Sequence, residues 1–327
     1  MAERIRWGIL GLGSIARAFA TGLKALPDAK LMAIGSRTKE KADGFGQEFN
    51  VPHRHGSYEK LVNDPDVDVI YVATPHSHHK SCSLLCLGAG KAVLCEKPFT
   101  VNAEEAEELV RLARERKLFL MEAVWTRFFP LMFRLRELLH DGVIGEVRML
   151  QADFGFRAAL DPEGRLFNPA LAGGSLLDVG VYCVAFASMV LGQPARTTGF
   201  AEIGKTGVDE QAAWVFQYDG GQLAMGASAV RTSTAQEATV YGTEGSIRVH
   251  TPWWKPDTMT ITTRAGSQEK AYHIEGNGMN YEAAAVMQCL REGKLEHEVM
   301  PLDESVANMR TMDSLRGQWG LKYPMEQ

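Results

Sequence analysis

Trp7-Gly8-Ile9-Leu10-Gly11-Leu12-Gly13-Ser14-Ile15-Ala16 is the stretch that decides the fold. An apolar run breaks at Gly11-Leu12-Gly13 and resumes as Ser14-Ile15-Ala16-Arg17-Ala18-Phe19, which has helical character. Strand, glycine turn and helix in that order are the context in which G-x-G-x-x-A binds a dinucleotide. Gly11 permits the tight turn, Gly13 lets a pyrophosphate approach the backbone, and Ala16 keeps the helix close to the sheet. The N–H groups that open the helix at Ser14 and Ile15, with the helix dipole, favour phosphates. Without its flanks the motif would be an ordinary glycine-containing turn.

Length and composition agree. A chain of 327 residues is expected to hold two domains. With 45% hydrophobic and 23% charged residues it reads as an ordinary globular protein. A net charge of −5 and a pI near 6.0 give no pull toward nucleic acid or an anionic membrane surface. No apolar run is expected to reach the ~20 residues that span a bilayer. With Met1-Ala2-Glu3-Arg4 directly before the first predicted strand, no signal peptide is expected. The five cysteines (Cys82, Cys86, Cys95, Cys183, Cys289) have no CxxC spacing. They read as buried reduced thiols, and the compartment as cytoplasmic.

Strand and helix signals alternate through residues 1–124. Strands are expected at 31–36, 69–73, 92–95 and 118–122, and helices from 14 to about 25 and at 39–49, 80–88 and 102–117. Val69-Ile70-Tyr71-Val72-Ala73 is the near-continuous apolar run of a strand buried on both faces. This predicts an α/β chain that opens with a Rossmann domain, a doubly wound parallel sheet. Over 125–327 the texture changes to period-2 stretches at 147–156, 213–218, 222–229, 237–241 and 246–250. Asp219-Gly220-Gly221 and Thr243-Glu244-Gly245 read as hairpin turns. The second domain is therefore predicted as a C-terminal α/β domain with a large, mostly antiparallel open sheet. Helices at 176–191 and 280–292 would cover one face.

The end of the second predicted strand speaks to the cofactor. An NAD site usually carries Asp or Glu there, about twenty residues after the glycine motif. This chain reads Ile34-Gly35-Ser36-Arg37-Thr38-Lys39, with no carboxylate. Arg37 can fork onto a 2′-phosphate with Ser36 beside it, so NADP(H) is preferred to NAD(H). The plain alternative is that Arg37 and Lys39 open a solvated helix.

Three further stretches stand in order: Ala73-Thr74-Pro75-His76-Ser77-His78-His79, Cys95-Glu96-Lys97-Pro98, and Glu122-Ala123-Val124-Trp125-Thr126-Arg127-Phe128. With Gly173-Gly174-Ser175-Leu176-Leu177-Asp178-Val179-Gly180-Val181-Tyr182 downstream, they resemble the glucose–fructose oxidoreductase / inositol dehydrogenase / MocA (Gfo/Idh/MocA) family. The closest resemblance is to its branch of dimeric dihydrodiol dehydrogenases and NADP-dependent D-xylose 1-dehydrogenases. It implies that Lys97 lines the site at the nicotinamide and that Asp178 and Tyr182 face it. Thr74, Pro75, His76, His79 and Glu96 would flank the cofactor. Trp125, Arg148, Phe154 and Trp254 would line or close the substrate pocket. The Lys97–Pro98 bond is often cis in the family.

The chemistry has its own logic. Oxidising a hydroxyl or reducing a carbonyl with a nicotinamide needs a group that carries the proton. Lysine and tyrosine are weak at this near a pKa of ~10 unless neighbouring cations assist. Asp178 and Tyr182, four apart on a helix, share a face. Ser175 is placed to cap that helix, and Gly192 with Pro194 ends it. Each residue also has a structural reading: Asp178 as a capping-box carboxylate, Tyr182 as core, Lys97 as a solvated loop residue, and Phe154, Phe156, Trp253 and Trp254 as sheet packing. His76, His78 and His79 lack a completing ligand, and no metal is assigned.

The expected activity is hydride transfer between NADP(H) and a hydroxyl or carbonyl carbon of a sugar, cyclic polyol or trans-dihydrodiol. A sugar 1-dehydrogenase or anhydro-sugar reductase is the nearest rival, and a non-catalytic NADP-binding regulator of the same fold is a rival of another class. A homodimer through the C-terminal sheet is expected, because some of Trp214, Phe216, Tyr218, Leu223 and Met225 should lie on the sheet's uncovered face and need a cover.

Overall fold

The apolar run before the glycine turn forms strand β1 (Ile5–Leu10), and helix α1 (Ser14–Leu23) follows it. The computed structural model describes residues 4–327; residues 1–3, on which the reading of the N-terminal segment rests, lie outside the described residues. The alternation continues as β2 (Ala29–Gly35), α2 (Lys39–Phe49), β3 (His53–His55), α3 (Tyr58–Val62), β4 (Val69–Val72), α4 (His79–Gly88), β5 (Ala92–Glu96), α5 (Ala103–Arg116) and β6 (Leu120–Ala123). These strands form one parallel sheet in the order β3-β2-β1-β4-β5-β6. The order reverses between β1 and β4, which is where a doubly wound sheet opens a crevice at its carboxyl edge. Every residue of β4 and β5 is buried, as their continuous apolar runs require. Helix starts follow local chemistry: Thr38, Ser57 and Asn102 accept from backbone N–H groups of the first turns of α2, α3 and α5.

The second part of the chain forms α6 (Pro130–His140), β7 (Val147–Gly155), α7 (Val181–Leu191), β8 (Arg196–Ile203), β9 (Asp209–Gln217), β10 (Leu223–Ala229), β11 (Ala238–Gly242), β12 (Gly245–Val249), β13 (Thr258–Thr263) and β14 (Gly266–Ala271). Helices α8 (Met279–Glu292) and α9 (Leu302–Trp319) end it. The eight strands are ordered β14-β13-β12-β11-β7-β10-β9-β8, antiparallel throughout except for β7 and β10. Both anticipated hairpins are present, β9 to β10 and β11 to β12.

Three expectations change. Two compact units form, and residues Glu275–Val306 return to the N-terminal one with Met1–Trp125. Helix α8 therefore packs in the first unit and not on the second sheet. Asn277 donates to the Ala18 carbonyl at 2.7 Å, and Arg291 pairs with Asp28 at 2.6 Å. The second sheet is instead covered by α7 and the end of α9, where Trp319 Nε1 donates to the Gly199 carbonyl at 3.0 Å. Second, Trp214, Phe216 and Tyr218 are buried on the covered face, with the Trp214 ring against Gly180. Strand alternation leaves Leu223, Met225 and Val215 on the open face. Third, Pro169–Leu191 is long and apolar enough to cross a membrane, with a mean hydropathy of 1.8, but 83% of that window is buried as protein core.

Candidate active site

In the N-terminal unit, Gly11 has φ +89, and a Cβ there would stand 2.8 Å from the Ala73 carbonyl oxygen. Both conformation and space therefore demand glycine at the turn. Gly13 differs: a Cβ there would meet nothing within 4 Å, so packing within the chain does not require it. The open space lies against the N-terminus of α1, whose first turn has no acidic residue and whose Ser14 and Ile15 are exposed. A pyrophosphate fits that cradle, with free N–H groups and the positive helix end facing it. Ala16 is fully buried, as the close helix–sheet approach needs.

Ser36 follows β2, buried, with its N–H donating to the His55 carbonyl at 3.1 Å. Arg37 is exposed and has no carboxylate partner among the described residues, whereas Lys39 is committed to Asp43. Of the two cations, Arg37 is the one available to a phosphate. Tyr58, which the sequence reading passed over, is half-buried and lies within the electrostatic reach of Arg37 and Cys82.

The Glu96-Lys97-Pro98 turn is pinned on every side. Tyr71 Oη donates to Glu96 Oε1, and the Lys97 N–H reaches Glu96 Oε2 at 3.2 Å. Phe99 N–H donates to Glu122 Oε1 at 2.9 Å, and the Lys97–Pro98 peptide is cis. Beneath it, Glu282 of α8 is fully buried, and burial with the neighbouring Glu96 holds its carboxyl well above the usual range. Lys97 itself is half-buried. His76 and Thr74 are buried, while Pro75 is exposed.

His79 does not line open space. It is 1% exposed, with Nδ1 at 2.7 Å from the Pro98 carbonyl and Nε2 at 2.9 Å from the Thr74 carbonyl. It is a strut joining two loops, behind the surface that the resemblance has it flank. Burial drives its pKa down to about 4, against the two carbonyl hydrogen bonds. The ring is therefore neutral near pH 7, and its single N–H donates to one of the two carbonyls. Trp125 ends the first stretch of this unit, half-buried.

In the C-terminal unit, Leu176–Gly180 is a π-helical turn that runs into α7, so Asp178 and Tyr182 sit across a widened turn rather than on a regular α-helix. Ser175 does not cap it by its side chain. Asp209, from the start of β9, takes that place: its Oδ2 accepts the Leu176 N–H at 2.6 Å and the Ser175 hydroxyl at 2.8 Å. Burial pushes the Asp209 carboxyl up to about 6, although those hydrogen bonds oppose it. Gly174, at φ +119, has no room for a side chain, because a Cβ would stand 2.1 Å from Asp209 Oδ1. Nothing local marks Asp209 beyond a charged residue opening an otherwise alternating strand.

Asp178 is buried and accepts from Arg165 Nη1 at 2.5 Å, another residue the sequence reading missed. Tyr182 is 7% exposed, and its ring lies 5.4 Å from that of Phe154. Phe154 in turn stacks on Trp254, with centroids 5.0 Å apart and planes 1° from parallel. Gln236 Oε1 accepts from Trp254 Nε1 at 2.9 Å, and the Thr126 hydroxyl donates to the Trp254 carbonyl at 2.6 Å. Tyr182, Phe154 and Trp254 thus form one ring cluster, and Asp178 precedes Tyr182 by four residues in the same segment. Arg148 is not part of the cluster. It lies six residues back along β7, about 20 Å from Phe154 at ~3.3 Å per residue. It pairs with Glu146 at 3.0 Å beside the turn at Gly221. The pocket role expected for it does not fit that place.

Comparison with known proteins follows the same division. Residues 5–124 match the family model "Oxidoreductase family, NAD-binding Rossmann fold", and residues 132–248 match "GFO/IDH/MocA C-terminal domain". The chain is 40% identical to mouse trans-1,2-dihydrobenzene-1,2-diol dehydrogenase, over 98% of this chain and 99% of that protein. The human protein of the same name is 38% identical, over 98% and 99%. Among solved structures, a 3-ketoreductase from Actinomadura kijaniata in complex with TDP-benzene and NADP superposes with a TM-score of 0.84 at 26% identity, over 96% and 97% of the two chains. An aldose-aldose oxidoreductase from Caulobacter crescentus shares the fold, with a TM-score of 0.88 at 23% identity over 97% and 98%.

The His79 strut makes a testable contribution to stability. Its folded pKa of about 4 lies below the 6.5 of an unfolded chain, so below pH 6.5 the unfolded chain binds the proton first. The contribution is whole above pH 6.5 and is lost as pH falls toward 4, a total of roughly 2–4 kcal/mol. Asp209 and Glu282, whose pKa values are raised, tilt stability the other way, so the comparison must be with a variant. Denaturant unfolding at pH 7 and pH 4.5 should show His79→Gln losing less stability on acidification than the parent. Parallel losses would show that His79 is not buried neutral.

Proposed function

The chain belongs to the GFO/IDH/MocA oxidoreductase family, and we propose that it is an NADP(H)-dependent member. It moves a hydride between the nicotinamide and a hydroxyl or carbonyl carbon of a trans-dihydrodiol, cyclic polyol or sugar. Arg37 carries the cofactor choice. It stands exposed at the end of β2, where an NAD site would place a carboxylate, and no acidic side chain among the described residues pairs with it. The NADP named in the ketoreductase complex supports the same choice.

The turn at Gly11 and Gly13 and the first N–H groups of α1 would hold the pyrophosphate, and Ser36 and Arg37 the 2′-phosphate. When bound, NADP(H) supplies the hydride acceptor or donor. We assign the hydroxyl proton to Tyr182 and Lys97. Asp178, held by Arg165, orients the substrate hydroxyl or the tyrosine. The parallel Phe154–Trp254 pair offers an apolar ring face to a cyclic diol or the C–H face of a sugar. The name of the mammalian relatives favours a dihydrodiol over an aldose. A cytoplasmic, reducing compartment suits five cysteines that are all buried and free.

The open face of the eight-stranded sheet calls for a cover. Gln151, Thr198, Phe200, Val215, Met225 and Ala227 line a shallow apolar depression on it, and Phe200 is 85% exposed. A two-fold axis through this face would bury the same residues from each of two copies, and we assign the chain as a homodimer on that basis.

Three outcomes test the reading. Arg37→Ala should weaken NADP+ binding ten- to a hundredfold, about 1.5–3 kcal/mol for a lost charge-assisted pair, and leave NAD+ nearly unchanged. Fluorescence titration with both cofactors decides it, and equal losses would remove Arg37 from the 2′-phosphate. A panel of trans-dihydrodiols, pentoses, hexoses and 1,5-anhydrofructose with NADP+ or NADPH identifies the substrate. On the best of these, Lys97→Met and Tyr182→Phe should each lower kcat by about 10²–10⁴, with cofactor affinity within a few-fold. Near-normal turnover in either variant removes that residue from the proton step. Finally, light scattering should give twice the 36.0 kDa chain mass, falling to the single chain in Phe200→Glu/Met225→Glu. A parent monomer at micromolar concentration excludes the dimer.

A further inference from the structure

His53 and His55 lie two residues apart on the edge strand β3, so both imidazoles fall on one side of it. Backbone pairing with Ala33 and Gly35 of β2 fixes their positions along the strand. Asp64, from the turn after α3, meets both rings: Oδ2 is 2.7 Å from His53 Nδ1 and 2.8 Å from His55 Nε2. The three donor atoms lie within 4.8 Å of one another. From this geometry we propose that His53, His55 and Asp64 form a binding site for one divalent cation of the zinc class, separate from the cofactor cradle and independent of the activity assigned above.

The donor set selects the ion. Two imidazole nitrogens and one carboxylate oxygen suit Zn2+, Co2+ or Ni2+, whereas Mg2+ and Ca2+ prefer all-oxygen shells. The carboxylate is held rigidly. The Asp64 side chain is 4% exposed, its Oδ1 accepts the Asp66 N–H at 2.9 Å, and Lys91 Nζ donates to the Asp64 carbonyl at 2.6 Å. Burial raises the Asp64 carboxyl, but hydrogen bonds from His55, the Asp66 amide and His53 outweigh it and hold the group below its ordinary range.

The rings have the freedom that the carboxylate lacks. Their side chains are 35% and 22% exposed, which leaves room for water to complete the coordination shell. The present spacings are hydrogen-bond distances. With metal–ligand bonds of about 2.0–2.2 Å, the rings need only swing outward by a few tenths of an ångström. Each neutral ring must then carry its proton on the outer nitrogen. For His53 that nitrogen, Nε2, faces Asp66 Oδ2 at 4.0 Å, the place of an outer carboxylate that orients a metal-bound imidazole. Such an ion would clamp the edge strand to the turn after α3, replacing two hydrogen bonds by three coordinate bonds.

The test is a titration of the intact, chelator-treated chain with Co2+, followed by its visible d–d absorption, and with Zn2+ by equilibrium dialysis. One equivalent per chain is expected, with a rise in Tm. His53→Gln/His55→Gln should weaken binding by more than ~100-fold and abolish the Tm rise, and Asp66→Asn should weaken it about tenfold. Both histidines are partly exposed, and circular dichroism of the double variant checks that the sheet is kept. Overturning outcomes are a full equivalent still bound by the double variant, which puts the metal elsewhere, or less than one equivalent bound by the parent at millimolar metal. In the second case the three residues are only a hydrogen-bonded hook for the edge strand.

Discussion

A polar group taken out of water must find its partner inside the protein, and both units place their working loops by that rule. In the first, Glu96 cannot turn away from Tyr71 and the Lys97 N–H without stranding a buried carboxylate. The Phe99 N–H is likewise bound to Glu122, and the neutral His79 ring sits between the carbonyls of Thr74 and Pro98 and donates to one of them. In the second, Asp209 holds both the Ser175 hydroxyl and the Leu176 N–H at the start of the helix that carries Asp178 and Tyr182. Each such bond adds only about 1 kcal/mol net, but leaving one unmade costs 1–3 kcal/mol. Alternative loop conformations would break several at once. Lys97 and the start of the segment carrying Asp178 and Tyr182 are held by several such bonds at once.

That rule also separates what the sequence discloses from what it conceals. The β1–α1 turn, the apolar strands β4 and β5, and the missing carboxylate after β2 are local patterns, and the structure contains all three. Strands β3 and β14 are different. The first is three residues long and the second wholly exposed, so neither has an apolar face to announce it. They exist because a neighbouring strand offers a ladder. Helix α8 shows another limit. Its amphipathic pattern says that one side is buried, but not which sheet buries it; that is settled by Asn277 at Ala18 and Arg291 at Asp28, partners more than 250 positions away.

Site residues divide the same way. Lys97, Asp178 and Tyr182 can be singled out from the sequence because short motifs surround them, and their roles remain part of the proposal. Asp209, Glu122 and Arg165 cannot be singled out that way, because each acts on a residue far along the chain or across a loop. Arg148 shows the opposite error. Strand alternation puts it on the same side of β7 as Phe154, but six residues of extended chain separate the two, and its guanidinium is taken by Glu146. Arg165 has no periodic pattern to mark it, but the 157–172 loop brings it to the Asp178 carboxylate.

Asp178 bears on the choice between an enzyme and a dinucleotide-binding protein without turnover. Binding a dinucleotide needs the turn at Gly11, the open N-terminus of α1 and a cation such as Arg37. It does not need a carboxylate buried to 4% exposure in the other unit, partnered by an arginine that is itself 56% exposed. Such a pair returns little stability, because desolvating the carboxylate offsets much of the attraction and solvent screens the arginine. The π-turn that carries Asp178 departs from regular α-helical hydrogen bonding just before Tyr182. A buried carboxylate placed this way is what the proposed proton step would use, and dinucleotide binding alone does not call for it.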